Sequence, residues 1–133
     1  MSFVTGCFHN FAVLKSNDDA RATQREAVRS GHCNLLPESQ IIPMTRIQVA
    51  RDRAMAQAVL KAKQPGKTVL LVSGAGHSNK QLGVPQHLPT DVSVKVVRMR
   101  AGPGDAIDGA FDVVWATPAL PEKDYCAGVK RTS

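Results

Sequence analysis

The sequence predicts an α/β fold: a partial, mainly parallel β-sheet with flanking helices. Three observations carry this. Two helical stretches precede short apolar, β-branched runs, the pattern of a layered α/β domain. The run Thr68-Val69-Leu70-Leu71-Val72-Ser73 is apolar on both faces, as in a buried parallel strand. It stops at Gly74-Ala75-Gly76-His77, and the loops beyond strand carboxyl ends are where α/β sheets bind ligands.

Each element follows in order. Residues 1–16 form an unpatterned leader, in which Phe3, Phe8, Phe11 and Leu14 are apolar without a period. A helix starts near Asn17 or Asp18, good N-cap residues, and stops at Gly31. Cys33 to Pro43 reads as a loop punctuated by Pro37 and Pro43. A longer helix covers about Met44 to Lys63, closed by Pro65-Gly66. After the 68–73 strand and its glycine loop, Pro85 and Pro89 break the chain. A second strand covers about Val92 to Met99. Past Gly102-Pro103-Gly104, a third covers about Phe111 to Ala116. From Pro118 the chain is irregular. The 133 residues thus hold one α/β domain over 17–128, with a short tail at 129–133. So few strands are scarce for a free-standing sheet of this class.

Composition excludes several functions. Lys plus Arg is 17 against 11 Asp plus Glu, a formal charge of +6, which favours anionic ligands or membrane surfaces. The basic residues are scattered, however, and aromatics are only 5%, too few for the base-stacking platforms of nucleic-acid binding. No apolar run approaches the roughly 18 residues of a membrane span. Val4-Thr5-Gly6-Cys7 looks like a lipoprotein cleavage box, yet no charged or apolar signal region precedes it. As written, the chain is expected in the cytoplasm. Cys7, Cys33 and Cys126 cannot all pair within one chain, and none has Cys-x-x-Cys spacing.

The longer helix contains an anomaly. On a helical wheel Arg46, Arg53, Gln57 and Lys61 share one narrow polar face, and most of the remaining circumference is apolar, so the helix is expected to be largely buried. Arg51 nevertheless points into the larger apolar face, with Gln48 and Asp52 along its edge. A buried charge must be paired or line a polar cavity. Two readings stand: structural ion pairs to other elements, or a ligand-site floor of Gln48, Arg51 and Asp52 shared with His77.

Among the histidines, His77 is the best placed for function, against a loop-bracing hydrogen bond. His32, just past a helix end, is either a C-terminal cap or a second site residue. His87 reads as exposed, and His9 carries no argument. No His/Asp/Glu cluster has metal-ligand spacing, and there is no Gly-x-Ser-x-Gly elbow, dinucleotide fingerprint or P-loop.

Taken together, Gly31-His32-Cys33, Gln48, Arg51-Asp52-Arg53-Ala54-Met55-Ala56, Gly74-Ala75-Gly76-His77, Leu82-Gly83-Val84-Pro85 and Asp124-Tyr125-Cys126 resemble the ChaN-like haem-binding uptake proteins of the Tiki superfamily. The similarity covers roughly residues 22–128. Erythromycin esterases are similar more remotely, through an Arg-Asp-x-x-Met-Ala helix and a histidine after the next strand. The resemblance implies a central parallel sheet and a haem-associated role in iron uptake. The resemblance assigns the iron ligand to no particular position; since haem needs an axial His, Tyr or similar ligand, the candidates are His77, Tyr125 and His32, with His77 and Tyr125 foremost. Arg51 or Lys80 would hold a propionate, and Gln48, Asp52 and Gly76 would line the site.

The Gly-Glu-x-His type motif expected after a first strand is absent, and residues 1–16 do not supply it. What is present resembles the C-terminal half of a ChaN-like domain. The resemblance therefore also leaves room for a homodimer or a complementing N-terminal half, for a remnant of an erythromycin-esterase-type hydrolase, and for a fragment without independent activity. It implies export of full-length relatives to the cell envelope, where Cys33 and Cys126 could pair.

Overall fold

A computed structural model describes residues 17–103 and 109–129. The leader at 1–16 and residues 130–133 of the tail lie outside these. Helix α1 runs Asn17–Gly31 and α2 runs Glu38–Ala62, followed by a single helical turn, α3, at Ala75–Ser78 and a 3-10 turn at Val84–His87. Strands β1, Val97–Ala101, and β2, Val113–Thr117, pair in parallel, with Val97 opposite Val113 and Met99 opposite Trp115. The fold is thus a partial α/β arrangement with a parallel sheet, as the sequence predicts.

The bounds of α1 coincide with its sequence signals. Asp18 and Asp19 sit in its first turn and Arg29 in its last, matching the helix dipole. The chain reverses after it through Cys33 and Asn34, both at φ 57°. Left-handed backbone costs a side-chain-bearing residue about 1–2 kcal/mol, and at Cys33 a disulfide to Cys126 holds it, with the two Cα atoms 5.6 Å apart. Helix α2 begins at Glu38, six residues before the expected start, and carries Pro43 inside it. Pro43 is the sixth residue of the helix, past the first turn, so it forgoes the backbone bond that its N–H would have donated to the Ser39 carbonyl. Arg29 of α1 then grips Glu38 at the head of α2, closing the helical hairpin.

Ile41, Thr45, Asp52 and Ala56 form the buried stripe of α2. Val28 of α1 and Val84 are buried as well. A second core of Val96, Ala110 and Phe111, with Val114 against it, lies at the foot of the sheet.

The 68–73 run departs from expectation. It forms neither helix nor strand, has no strand partner among the described residues, and leaves Leu70 and Val72 each 84% exposed. Burial of a strand needs neighbours on both edges and faces, and here only two strands pair. The outward face of that pair is apolar too: Val97, Met99 and Trp115 are exposed while Arg98 and Arg100 are half-buried, Arg98 lying 5.2 Å from the Phe111 ring centroid. The larger apolar face of α2 behaves likewise, with Ile47 45% exposed. The expectation of a largely buried α2 is therefore corrected.

Candidate functional site

Helix α2 delivers Asp52 on its buried stripe, and the α3 turn delivers His77 against it. His77 Nδ1 lies 2.7 Å from Asp52 Oδ1. Asp52 is 3% exposed, whereas the His77 side chain keeps 27%. A carboxylate accepts and does not donate, so an ionised Asp52 takes the hydrogen bond from Nδ1–H, and in the neutral ring Nε2 keeps its lone pair. A carboxylate behind an imidazole fixes tautomer and ring orientation and raises the basicity of the free nitrogen. That nitrogen can bind a metal centre or take a proton.

Three contacts hold the α3 turn in place. Ser73 Oγ and Ser78 Oγ are 2.9 Å apart, tying the end of the 68–73 run to the turn. Lys80 N–H donates to Ala110 O at 2.9 Å, and Lys80 Nζ donates to Asp112 Oδ1 at 2.7 Å. Asp112 Oδ2 also accepts the Val96 N–H at 2.7 Å. The Asp112 carboxyl is consequently held below its usual range, first by Lys80 and then by Val96. The loop after His77 is thereby fastened to the sheet.

Gly83 completes the frame. A Cβ there would stand 2.1 Å from the His77 carbonyl oxygen and 2.8 Å from that of Gly76. Only glycine lets the Leu82–Val84 backbone approach so closely. By contrast, a Cβ at Gly74 or Gly76 would meet nothing within 4 Å. The steric need for glycine in this loop thus lies at Gly83 and not at Gly74 or Gly76. The sequence showed Gly83 as part of a motif, but its contact with a residue six positions earlier needed coordinates.

The remaining predicted site residues are distributed as follows. Gln48 sits one turn before Asp52 on the same side of α2, half-buried. Arg51 is exposed rather than buried in an apolar face, with no ion-pair partner among the described residues. Adjacent helical positions face apart, and it is Asp52 that meets His77. Gly76 is exposed within α3. Lys80 is committed to Asp112.

His32 caps α1, its Nδ1 2.8 Å from Val28 O, so it too leaves Nε2 free. His87 is half-buried in the 3-10 turn rather than exposed. Tyr125 is 77% exposed, with Lys123 Nζ 5.2 Å from its ring centroid. Because His32 and Tyr125 each adjoin a half-cystine, and the Cys33 and Cys126 Cα atoms are 5.6 Å apart, their own Cα atoms lie within about 13 Å. No group of three or more His, Cys, Asp or Glu able to hold a metal ion occurs among the described residues. No helix described is long and apolar enough to cross a membrane.

A family model described as haem-binding uptake, Tiki superfamily, ChaN, matches residues 8–88. No curated protein and no solved structure matches the chain.

Proposed function

The chain belongs to the haem-binding uptake family ChaN of the Tiki superfamily, and from that premise we propose that it binds haem through His77 in the service of iron uptake. The observation that carries this reading is the 2.7 Å bond between His77 Nδ1 and the buried Asp52. Haem, if bound, would supply an iron centre that a nitrogen or phenolate side chain of this protein could hold. His77 fits such a centre: its Nε2 is uncommitted, and Asp52 orients the ring.

Arg51, exposed one position from Asp52, is available for a propionate, whereas Lys80 is engaged with Asp112. Gln48 and Gly76 lie beside the dyad in sequence or on the same helix face. Tyr125 and His32 share the disulfide-linked end of the molecule and are the alternative iron ligands.

Titrating the protein with haemin while following the Soret band tests the assignment. A saturable shift that disappears in His77→Ala supports it. A shift that survives His77→Ala but vanishes in Tyr125→Phe moves the ligand to the tail. No saturable shift at all leaves a fragment without independent haem binding.

The unpaired 68–73 run and the outward apolar face of β1 and β2 favour completion of the strand layer by further polypeptide, either a second copy or a complementing segment. Sedimentation of the wild type against Leu70→Lys/Val72→Lys separates these. Association lost in the variant means a second copy, and a monomer in both leaves only the complementing segment. The Cys33–Cys126 disulfide supports an oxidising compartment over the cytoplasm expected from the sequence as written.

The Asp52–His77 dyad also favours one second reading, an esterase-type hydrolase in which Nε2 acts as general base. Ester turnover abolished by His77→Ala would establish it.

A further inference from the structure

We propose that residues 68–73 are the interface through which two copies of this chain pair, antiparallel and strand against strand, into a closed dimer. No backbone hydrogen bond joins this run to any described residue, so its N–H and C=O groups stand open. Exposure alternates along it. Leu70 and Val72 are each 84% exposed and Leu71 36%, while Val69 is half-buried. That is the period of a strand with one row, Thr68, Leu70 and Val72, turned outward.

The open backbone selects the kind of occupant. A row of free N–H and C=O groups is answered by another strand, not by a lipid surface or a small ligand. Such rows are normally blunted by lysine, proline or a bulge, yet residues 68–76 hold no charge and no proline. The chain carries a formal charge of +6 and exposes Arg46, Arg51 and Arg53 on α2. Two copies therefore repel over their charged faces and can meet at the uncharged run. A charged partner segment would find no counter-charge there, whereas a second copy brings an equally uncharged run.

Symmetry narrows the register. A two-fold axis through an antiparallel pair sets one residue opposite its own counterpart, and Leu71 serves best. Centred there, Leu70 faces the partner's Val72 and Val72 faces the partner's Leu70, so the most exposed apolar side chains cover one another. Val69 then faces the partner's Ser73, Thr68 the partner's Gly74, and Lys67 the partner's Ala75 and not a second cation. Centring on Leu70 instead would set each Val72 against a threonine. The dimer rests on the incomplete strand layer and not on haem, because neither His77 nor Asp52 belongs to the run.

Analytical ultracentrifugation of the full, haem-free chain should show a monomer–dimer equilibrium. Raising the concentration should slow amide hydrogen exchange within 68–73. Val72→Lys should weaken the dimer about tenfold or more with the far-UV circular dichroism unchanged, and His77→Ala should leave it unaltered. Cysteine oxidation in a Cys7→Ser background reads the register. Leu71→Cys should link two copies, because Cα atoms directly opposite stand about 4.5–5.5 Å apart, inside the disulfide range of about 4.4–6.8 Å. Leu70→Cys, two residues out of register with its counterpart, should link about tenfold more slowly. A monomer at every concentration overturns the proposal, as does a dimer indifferent to Val72→Lys or abolished by His77→Ala. Assemblies larger than a dimer, or equal linking at 70 and 71, overturn it too. Should Leu71→Cys not fold, exchange protection in the wild type and its loss in Val72→Lys still decide.

Discussion

Asp52 and His77, 25 residues apart in sequence, are joined by a 2.7 Å hydrogen bond in which the carboxylate is buried and the imidazole is not. The asymmetry is informative. Burial of the carboxylate gives it few alternative partners, so the ring orientation is fixed from behind while the imidazole keeps partial access to solvent. Asp52→Asn keeps the size of the residue and removes its charge. It should weaken ferric haem binding by about 10–100-fold, the usual effect of losing a partner behind a ligating histidine. Soret titrations of the two proteins at one pH measure the ratio, and equal affinities would detach Asp52 from the site.

Gly83 is the steric counterpart of that dyad. A methyl group there would collide with the His77 carbonyl carbon at 2.5 Å as well as its oxygen, and both are backbone atoms that cannot rotate away. Gly83→Ala should therefore destabilise the protein by about 1–3 kcal/mol and displace the α3 turn, lowering haem affinity more than tenfold. Gly76→Ala, whose Cβ enters open space, should stay within about 0.5 kcal/mol of wild type. Denaturant unfolding of both variants makes the comparison, and equal effects would remove the close-approach argument.

How far the sequence could be read depends on whether each signal is local. Helix α1 has its caps and dipole charges next to one another in the chain, so its span Asn17–Gly31 was legible. Strands near 92–99 and 111–116 were legible from their β-branched content, the observed ones being Val97–Ala101 and Val113–Thr117, and their parallel pairing followed from the alternation of helices and strands. The start of α2 was not legible, because Pro43 reads as a breaker until Pro37 is seen to precede the first turn. The 68–73 run has the composition of a buried strand, but composition does not supply neighbours. His77, Asp52 and Gln48 were all placed at a shared site, yet Arg51 stood beside them on the wheel and turned outward to solvent.

The disulfide ties the turn after α1 to the tail across 93 residues. Closing so long a loop removes unfolded-chain entropy equivalent to about 4–5 kcal/mol in the simplest model, and measured values fall mostly at 2–5 kcal/mol. Cys33→Ser/Cys126→Ser should therefore lose about 2–5 kcal/mol in denaturant unfolding. It should also expose the 118–129 segment, whose side chains are otherwise almost wholly solvent-facing, to limited proteolysis. A proteolytic pattern identical to that of the oxidised wild type would show that other contacts hold the tail.

Acid should act on the frame of the site through Asp112. Its carboxyl is held below the ordinary carboxylate range by the Lys80 ammonium and the Val96 N–H. A depressed folded-state pKa contributes stability that is fully present above the unfolded value, about 3.9, and is lost as pH falls through the lower folded value. Asp112→Asn removes the charge and with it this pH dependence. At pH 7 the variant should be less stable by about 1–3 kcal/mol, the range for losing a charge-assisted hydrogen bond that is only partly shielded. Unfolding at pH 7, 5 and 3 should show the gap between wild type and variant nearly constant from 7 to 5 and shrinking by pH 3. Because Lys80 follows His77 by three residues, haem affinity should fall over the same acid range in the wild type. A gap that stays constant down to pH 3 would mean that the two donors do not hold the Asp112 carboxyl below its unfolded-state value.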